Sequence, residues 1–324
     1  MRLLDLRLSN LRFLKLIGFI AALALLIAVI WRFDPARIAA SLASANPLLV
    51  IAGILLVQVQ IVLSALRWRF TAAKLGQMLG ISQAIGDYYL GTLLNQVLPG
   101  GMAGDAVRAL RNRTPDAGGW KTPAQAVLFE RLAGQVVFFA VAAIGIMLWP
   151  LIGGEAIPDG LRHVLSGFSL ALAGIVILAL LLLLRFPPKP LRLWLDRLKS
   201  AMRQAFVSNG AWAVQAGYSA VIVGSYILMF MLASAAIGAP LPALAALTAI
   251  PLCLMMMLIP ATFSGWGARE AAAAVLWPLF GYGPTEGVAA SILYGILALV
   301  GALPGFVFIL KTLLRRDGRP AGDR

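Results

Sequence analysis

Polar and apolar positions in this chain are segregated over whole segments rather than single turns. Long apolar runs lie at about 14–31, 47–66, 124–149, 165–186, 212–238 and 286–310. Each approaches or exceeds the ~18 apolar residues that read as a membrane span. Two further runs are interrupted. The first covers about 83–98, breaks at Pro99–Gly104 and resumes to about 112; the second covers about 243–259, breaks at Pro260–Gly267 and resumes to about 281. At 1.5 Å per residue the shorter limbs cannot cross a core about 30 Å thick, so each pair predicts a re-entrant hairpin of half-helices. The expected fold is an all-α polytopic membrane protein with about six full transmembrane helices plus two re-entrant helical hairpins in an inverted repeat.

The two breaks carry the same pattern. An apolar residue precedes Pro99 and Pro260, a glycine follows five residues later (Gly104, Gly265), and charge comes next: Asp105 and Arg108 in one, Arg269 and Glu270 in the other. Gly100 and Gly267 add flexibility. Proline and glycine interrupt helices, and charge at membrane depth is costly. Two such interruptions at matching places in two halves point to a transporter-like site near the bilayer midplane.

Loop charge supports this topology. Residues 1–15 hold Arg2, Arg7, Arg12 and Lys15; 67–82 hold Arg67, Arg69 and Lys74; 111–123 hold Arg111, Arg113 and Lys121; 185–211 hold six basic residues; and the tail holds Lys311, Arg315, Arg316, Arg319 and Arg324. The segments 150–164 and 239–242 carry no basic excess. With both interrupted runs read as hairpins, every basic loop falls on the cytoplasmic side, as do both termini. Two full crossings would also satisfy the rule at the tail. The chain then reads as one membrane domain over 1–324. Residues 1–46 give a first, uncleaved span and outer loop. Residues 47–149 are one repeat half with its hairpin at 83–112. Residues 150–211 are an extra span and basic connector, with an interfacial helix expected after Pro187-Pro188-Lys189-Pro190. Residues 212–310 are the second half with its hairpin at 243–281, and 311–324 a basic cytoplasmic tail.

Composition narrows the function classes. The chain is 61% hydrophobic and 12% charged, with a mean hydropathy of +0.90, whereas soluble domains carry about 25% charged residues. The formal net charge of +14 sits between apolar segments, which fits anionic lipid rather than nucleic acid. Cys253 is the only cysteine and His163 the only histidine, so a zinc site or a histidine-based nucleophile has almost no material. No metal or cofactor is expected, and the methionines at 255–257 read as packing.

The residues Leu66-Arg67-Trp68, Tyr89-Leu90-Gly91, Asn95-Gln96-Val97-Leu98-Pro99-Gly100, Gly104-Asp105, Arg108 and Glu130-Arg131-Leu132-Ala133-Gly134 resemble the membrane domain of lysylphosphatidylglycerol synthases. Ser264-Gly265-Trp266-Gly267-Ala268-Arg269-Glu270-Ala271 resembles that domain's second signature. The same domain occurs alone in bacterial and archaeal flippase-like proteins. In two-part members it is thought to translocate aminoacylated phosphatidylglycerol, while a cytosolic domain attaches the amino acid. The chain ends at Arg324, so the synthetic domain is expected to be absent. The resemblance then implies handling of a lipid or lipid-linked substrate, not lysyl transfer.

The candidate substrate-binding residues are Asp105, Arg108, Glu130, Arg131, Arg269, Glu270 and Asn95, with Pro99, Gly100, Gly104, Pro260, Gly265 and Gly267 as the breaks. Asp105 and Arg108 share a helix face and form a local ion pair or contact a headgroup. Arg269 binds a substrate phosphate or pairs with Glu130 or Asp105; the backbone N–H groups beside it can face an anion. Glu130 should face the interior, for function or for structural pairing, while Arg131 snorkels to the surface. Asn95 should satisfy carbonyls freed by Pro99. One of Gln58 and Gln60 should line the cavity. Tyr88, Tyr89, Trp31, Trp149, Trp194 and Trp212 read as interfacial anchors, and Trp266 as a mid-membrane exception. The expected function is flippase-like transport of a phospholipid or lipid-linked substrate by alternating access in a bacterial inner membrane, with membrane lipids as partners and no catalysis. A further copy of the chain (a homo-oligomer) or an envelope-synthesis protein is the other expected partner. The alternatives are a scaffold of an envelope-lipid synthesis complex and an intramembrane enzyme acting on a lipid phosphate through Asp105, Glu130 and Glu270.

Overall fold

Capping chemistry sets where the first helices begin. Asp34 accepts from Arg37 N at 3.2 Å ahead of Pro35, and Asn46 accepts from Leu48 N at 2.9 Å ahead of Pro47. A cap side chain followed by proline is the usual helix-start chemistry. A computed structural model describes residues 20–98, 101–113, 119–153, 198–258 and 265–310. Its helices are α1 (Ile20–Arg32), α2 (Pro35–Ala43), α3 (Pro47–Lys74), α4 (Ile81–Val97), α5 (Ala103–Arg111), α6 (Lys121–Gly153), α7 (Ala211–Ala236), α8 (Ala243–Met255), α9 (Ala268–Leu276) and α10 (Pro284–Ala302). Among the described residues four helices are long and apolar enough to cross a membrane: Pro47–Lys74, Lys121–Gly145, Leu198–Ala236 and Pro284–Leu310. The chain is a polytopic helical membrane protein. The expected span at 165–186, His163, Trp194, the Pro187–Pro190 break, and Pro99, Gly100 and Pro260 all lie outside the described residues.

Both interrupted runs are helix pairs. In the first, α4 ends at Val97 and α5 starts at Ala103, and the two pack on each other. Asn112 at the end of α5 reaches back to Asp87 at 2.8 Å, so the limbs run antiparallel. In the second, α8 tightens into a 3-10 turn at Met256–Leu258 and α9 starts at Ala268. Gly265 and Gly267 have φ of +83° and +85°, a region that glycine enters without the penalty a Cβ imposes.

The helix starts at 47, 81, 103 and 121 recur at 211, 243, 268 and 284, each displaced by 162 to 165 residues. Packing recurs with them. The pairs α3–α4, α4–α5, α5–α6, α3–α6, α4–α10 and α3–α10 are matched by α7–α8, α8–α9, α9–α10, α7–α10, α8–α6 and α7–α6. The pair α3–α7 maps onto itself. It is antiparallel: Asn46 N donates to Ala236 O at 2.8 Å, Arg67 to Ser219 at 2.9 Å and Gln215 to Thr71 at 2.8 Å. Equivalent helices that run in opposite directions make the repeat an inverted one, with each hairpin's long limb packed against a span of the other half.

One expected boundary moves. The span 47–66 was ended at Arg67 and followed by a basic loop; α3 instead continues to Lys74, with Arg67 and Trp68 buried. Hydropathy ends a span at its first charge, but a charge paired inside the protein does not end a helix.

The first hairpin closes backbone to backbone. A Cβ on Gly104 would lie 1.9 Å from Gly91 O. Gly104→Ala should therefore open the hairpin and cost about 1–3 kcal/mol, as overpacking does. Gly217 has nothing within 4 Å of its Cβ position, so Gly217→Ala should leave the melting temperature in detergent unchanged or raised. Equal melting of the two variants would refute the close approach.

Candidate functional site

Five charged side chains from three helices meet inside the first half. α3 supplies Arg67, α5 supplies Asp105 and Arg108, and α6 supplies Glu130 and Arg131. Glu130 accepts from Arg67 in a close contact and from Arg108 at 3.4 Å, and Tyr88 donates to it at 3.2 Å. Asp105 bridges Arg108 at 2.6 Å and Arg131 at 2.5 Å. Arg67 also donates to Ser219 of α7 at 2.9 Å, which links the halves. The Arg108 guanidinium carbon lies 4.2 Å from the Tyr88 ring centre and 4.9 Å from that of Trp68, within cation–π range. Arg67, Asp105, Arg108 and Glu130 are buried, while the Arg131 side chain is 40% exposed.

Local structure fixes these positions. Asp105 and Arg108 are one turn apart on α5, so their pairing is intrahelical. Asn95 Oδ1 accepts from Gly104 N at 2.8 Å, which caps the start of α5 from the preceding limb. A second polar cluster ties the far end: Arg111 and Asn112 both donate to Asp87 at 2.8 Å, and Gln77 donates to Asn112 O at 2.8 Å.

The second hairpin holds a smaller, closed cluster. Arg269 donates to Glu270 at 2.7 Å and to Ser291 Oγ at 2.9 Å, and Ser291 donates to Glu270 at 2.8 Å. Glu270 Oε2 accepts from Gly267 N at 2.6 Å, so the helix caps itself. Arg269 also stands beside two rings, Trp266 at 5.3 Å and Tyr294 at 5.0 Å. Met102 and Gly267 flank the two half-helices at matching positions, which puts Asp105 and Glu270 at equivalent places in the repeat.

A cavity of about 260 Å³ lies where the halves meet. Arg67, Tyr88, Asn95, Asp105, Arg108, Glu130 and Arg131 line it from one half, and Ile222, Tyr226, Leu254, Met257 and Tyr294 from the other. An adjoining cavity of about 390 Å³ is bounded by Ala22, Leu23, Leu26, Val97, Trp266 and Leu299 and is almost wholly apolar; Gln96 borders both.

Several expectations change. Arg269 and Glu270 do not join Asp105 and Glu130 and do not line the polar cavity; Arg269 takes its own neighbour as counterion. The N–H group of Gly267 is used by Glu270 rather than left to face an anion. Arg131 turns to Asp105 instead of only reaching the surface. Asn95 serves an N–H group across the break, not carbonyls of its own helix. Tyr88 is a site residue and Tyr89 donates to Gln58 at 2.6 Å and stacks on Phe308, so neither is an interfacial anchor; Trp31 and Trp212 are exposed as anchors require. Glu130 faces inward, Asp105 and Arg108 pair, and Gln60 is the glutamine that lines the cavity. Arg67, Tyr226 and Ser219 had not been expected in the site. For Arg67 the signal was present, as a charge flanked by apolar residues in Leu66-Arg67-Trp68.

The family described as the Lysylphosphatidylglycerol synthase TM region matches residues 15–305. The chain belongs to this family. Membership places it among membrane proteins of lipid-related processes, and the match takes in both hairpins and all five charges of the first half. No curated protein matches the chain.

The network should behave as one energetic unit. Arg67→Gln and Glu130→Gln should each cost about 3–5 kcal/mol, because each leaves buried charge unpaired. The double variant should lose less than the sum, with a coupling of about 1–3 kcal/mol. Unfolding in detergent measures all three; additive losses would refute the coupling.

Proposed function

We propose that the protein moves a lipid headgroup between leaflets through the polar cavity at the interface of its inverted halves. One observation carries the reading: charges at membrane depth line a cavity that both halves wall. Intramembrane ionisable groups mark substrate pathways by default, and transporters built from inverted repeats bind at the repeat interface. An ionic headgroup in hydrocarbon costs several kcal/mol per ion. Arg67, Arg108, Arg131, Asp105 and Glu130 replace the water it would lose. The adjoining apolar cavity, reached past Gln96, suits an acyl chain that never leaves an apolar setting.

Alternating access follows from symmetry. Rocking one half against the other exchanges the environments of the two hairpins and opens the cavity to each leaflet in turn. The role is transport rather than catalysis, the partner is a membrane lipid, and the setting is a bacterial inner membrane with both termini cytoplasmic, as loop charge favours.

Proteoliposomes holding a fluorescent phospholipid test this through reductant quenching of the outer leaflet. The wild type should exchange lipid faster than protein-free vesicles. Arg108→Gln should slow exchange about tenfold or more, since a charge-assisted contact contributes about 1.5–3 kcal/mol. A wild type no faster than empty vesicles, or a variant as fast as wild type, would refute the reading.

A further inference from the structure

The cavity's charged lining does not balance. Arg67, Arg108 and Arg131 face Asp105 and Glu130, three cations against two anions, a formal excess of one positive charge. The unused hydrogen-bonding groups lean the same way. Arg67 Nε, Arg108 Nη1, Arg131 Nε and Gln60 Nε2 are buried donors with no hydrogen-bond partner among the described residues. Against them stand Gln135 Oε1, and Asp105 Oδ2, which is ion-paired to Arg131 without a hydrogen bond. Buried polar groups are almost always partnered, so four orphan donors around one cavity need an explanation. Arg108 and Gln60 are 1% and 4% exposed, which leaves bulk water as a poor answer.

We propose that the cavity is a selective site for a phosphodiester monoanion, carried by a lipid headgroup of net negative charge, and that it rejects headgroups made cationic by an added amine. A phosphodiester brings one negative charge and only acceptor oxygens. It cancels the excess and, once the side chains turn toward it, supplies acceptors for the orphan donors. Guanidinium groups suit such oxygens because their N–H fork matches the anion's geometry. A zwitterionic headgroup brings its own cation and leaves the excess in place. An aminoacylated one adds a further ammonium and finds only carboxylates already held by arginine. The proposal takes from the transport reading only the route by which a lipid reaches the cavity.

The test is native mass spectrometry of the purified protein, presented with equimolar phosphatidylglycerol, phosphatidylethanolamine and lysyl-phosphatidylglycerol of matched chains. Phosphatidylglycerol should be enriched about tenfold over each of the others, the worth of one charge-assisted contact. Basic loops also attract anionic lipid, so the variants decide where the preference arises. Gln60→Leu removes a donor that has no partner among the described residues. It should melt like wild type yet lose about threefold or more of the enrichment, as a deleted hydrogen bond would. Arg131→Gln brings the lining to neutral and should abolish the preference. Enrichment retained in both variants, no enrichment in wild type, or enrichment of the lysyl lipid would overturn the proposal. Soluble glycerophosphoglycerol, a phosphodiester monoanion without acyl chains, distinguishes the source of the anion: displacement of the lipid at micromolar concentration would overturn the lipid assignment, and failure to displace it supports that assignment. Selective binding without lipid exchange would sink the transport reading and leave this one standing. Equal exchange and equal binding of all three lipids would do the reverse.

Discussion

Charge placed at membrane depth has to be neutralised within the protein, and the first half of this chain is arranged around that constraint. Glu130 cannot lie in an apolar span unless Arg67 and Arg108 reach it. Arg108 cannot reach it unless α5 folds back beside α4. That return depends on Gly104 meeting Gly91 with no Cβ between them and on Asn95 capping the new helix start. Each requirement is local, but together they fix α3, α4, α5 and α6 relative to one another. A buried ion pair contributes little net stability over an apolar one. Its presence in five-member form is better understood as specification of geometry and of ligand chemistry than as a source of stability.

The inverted repeat supplies what one half alone cannot. The long limb of each hairpin packs against a span of the opposite half, α4 on α10 and α8 on α6. Neither hairpin therefore packs within its own repeat alone. The antiparallel pair α3–α7 runs along the boundary, and its contacts include Arg67 to Ser219, so the charged network is anchored to the partner half at one residue. Motion of one half against the other would pull on that contact directly.

Much of this was legible in the sequence, and what was not has a common cause. The helix–break–helix segments and the pairing of Asp105 with Arg108 depend on spacing within one segment, and the inward face of Glu130 on its depth in the span and a side chain too short to snorkel. Arg67 depends on Glu130, 63 residues away; its apolar neighbours Leu66 and Trp68 mark it as a candidate for burial, but no local pattern names its partner. The same blindness turned Tyr88 and Tyr89 into surface anchors. Arg269 shows a different failure. The expected partners were a substrate phosphate or a carboxylate across the repeat interface, although neighbouring residues on an ideal helix point apart. At a helix entrance both side chains reach Ser291, and Arg269 and Glu270 meet there.

The two halves match in backbone and differ in chemistry, and the difference bears on how such a site works. Asp105 and Glu270 occupy equivalent places, yet Asp105 holds two arginines at the edge of an open cavity while Glu270 holds one arginine, one serine and its own helix start. The second cluster is neutral and closed. The first has excess charge and unused donors. The open charge excess therefore lies in the first half, on α3, α5 and α6. Arg269 stands directly behind the wall, since Met257 and Tyr294 line the cavity and also contact it. For the second hairpin to take over a bound anion, Arg269 would have to exchange Glu270 for it. Glu270 has a second acceptor commitment, to Gly267 N, that would hold the carboxylate in place meanwhile. A symmetric backbone thus carries two unequal clusters, an open charge excess in the first half and a latched pair in the second.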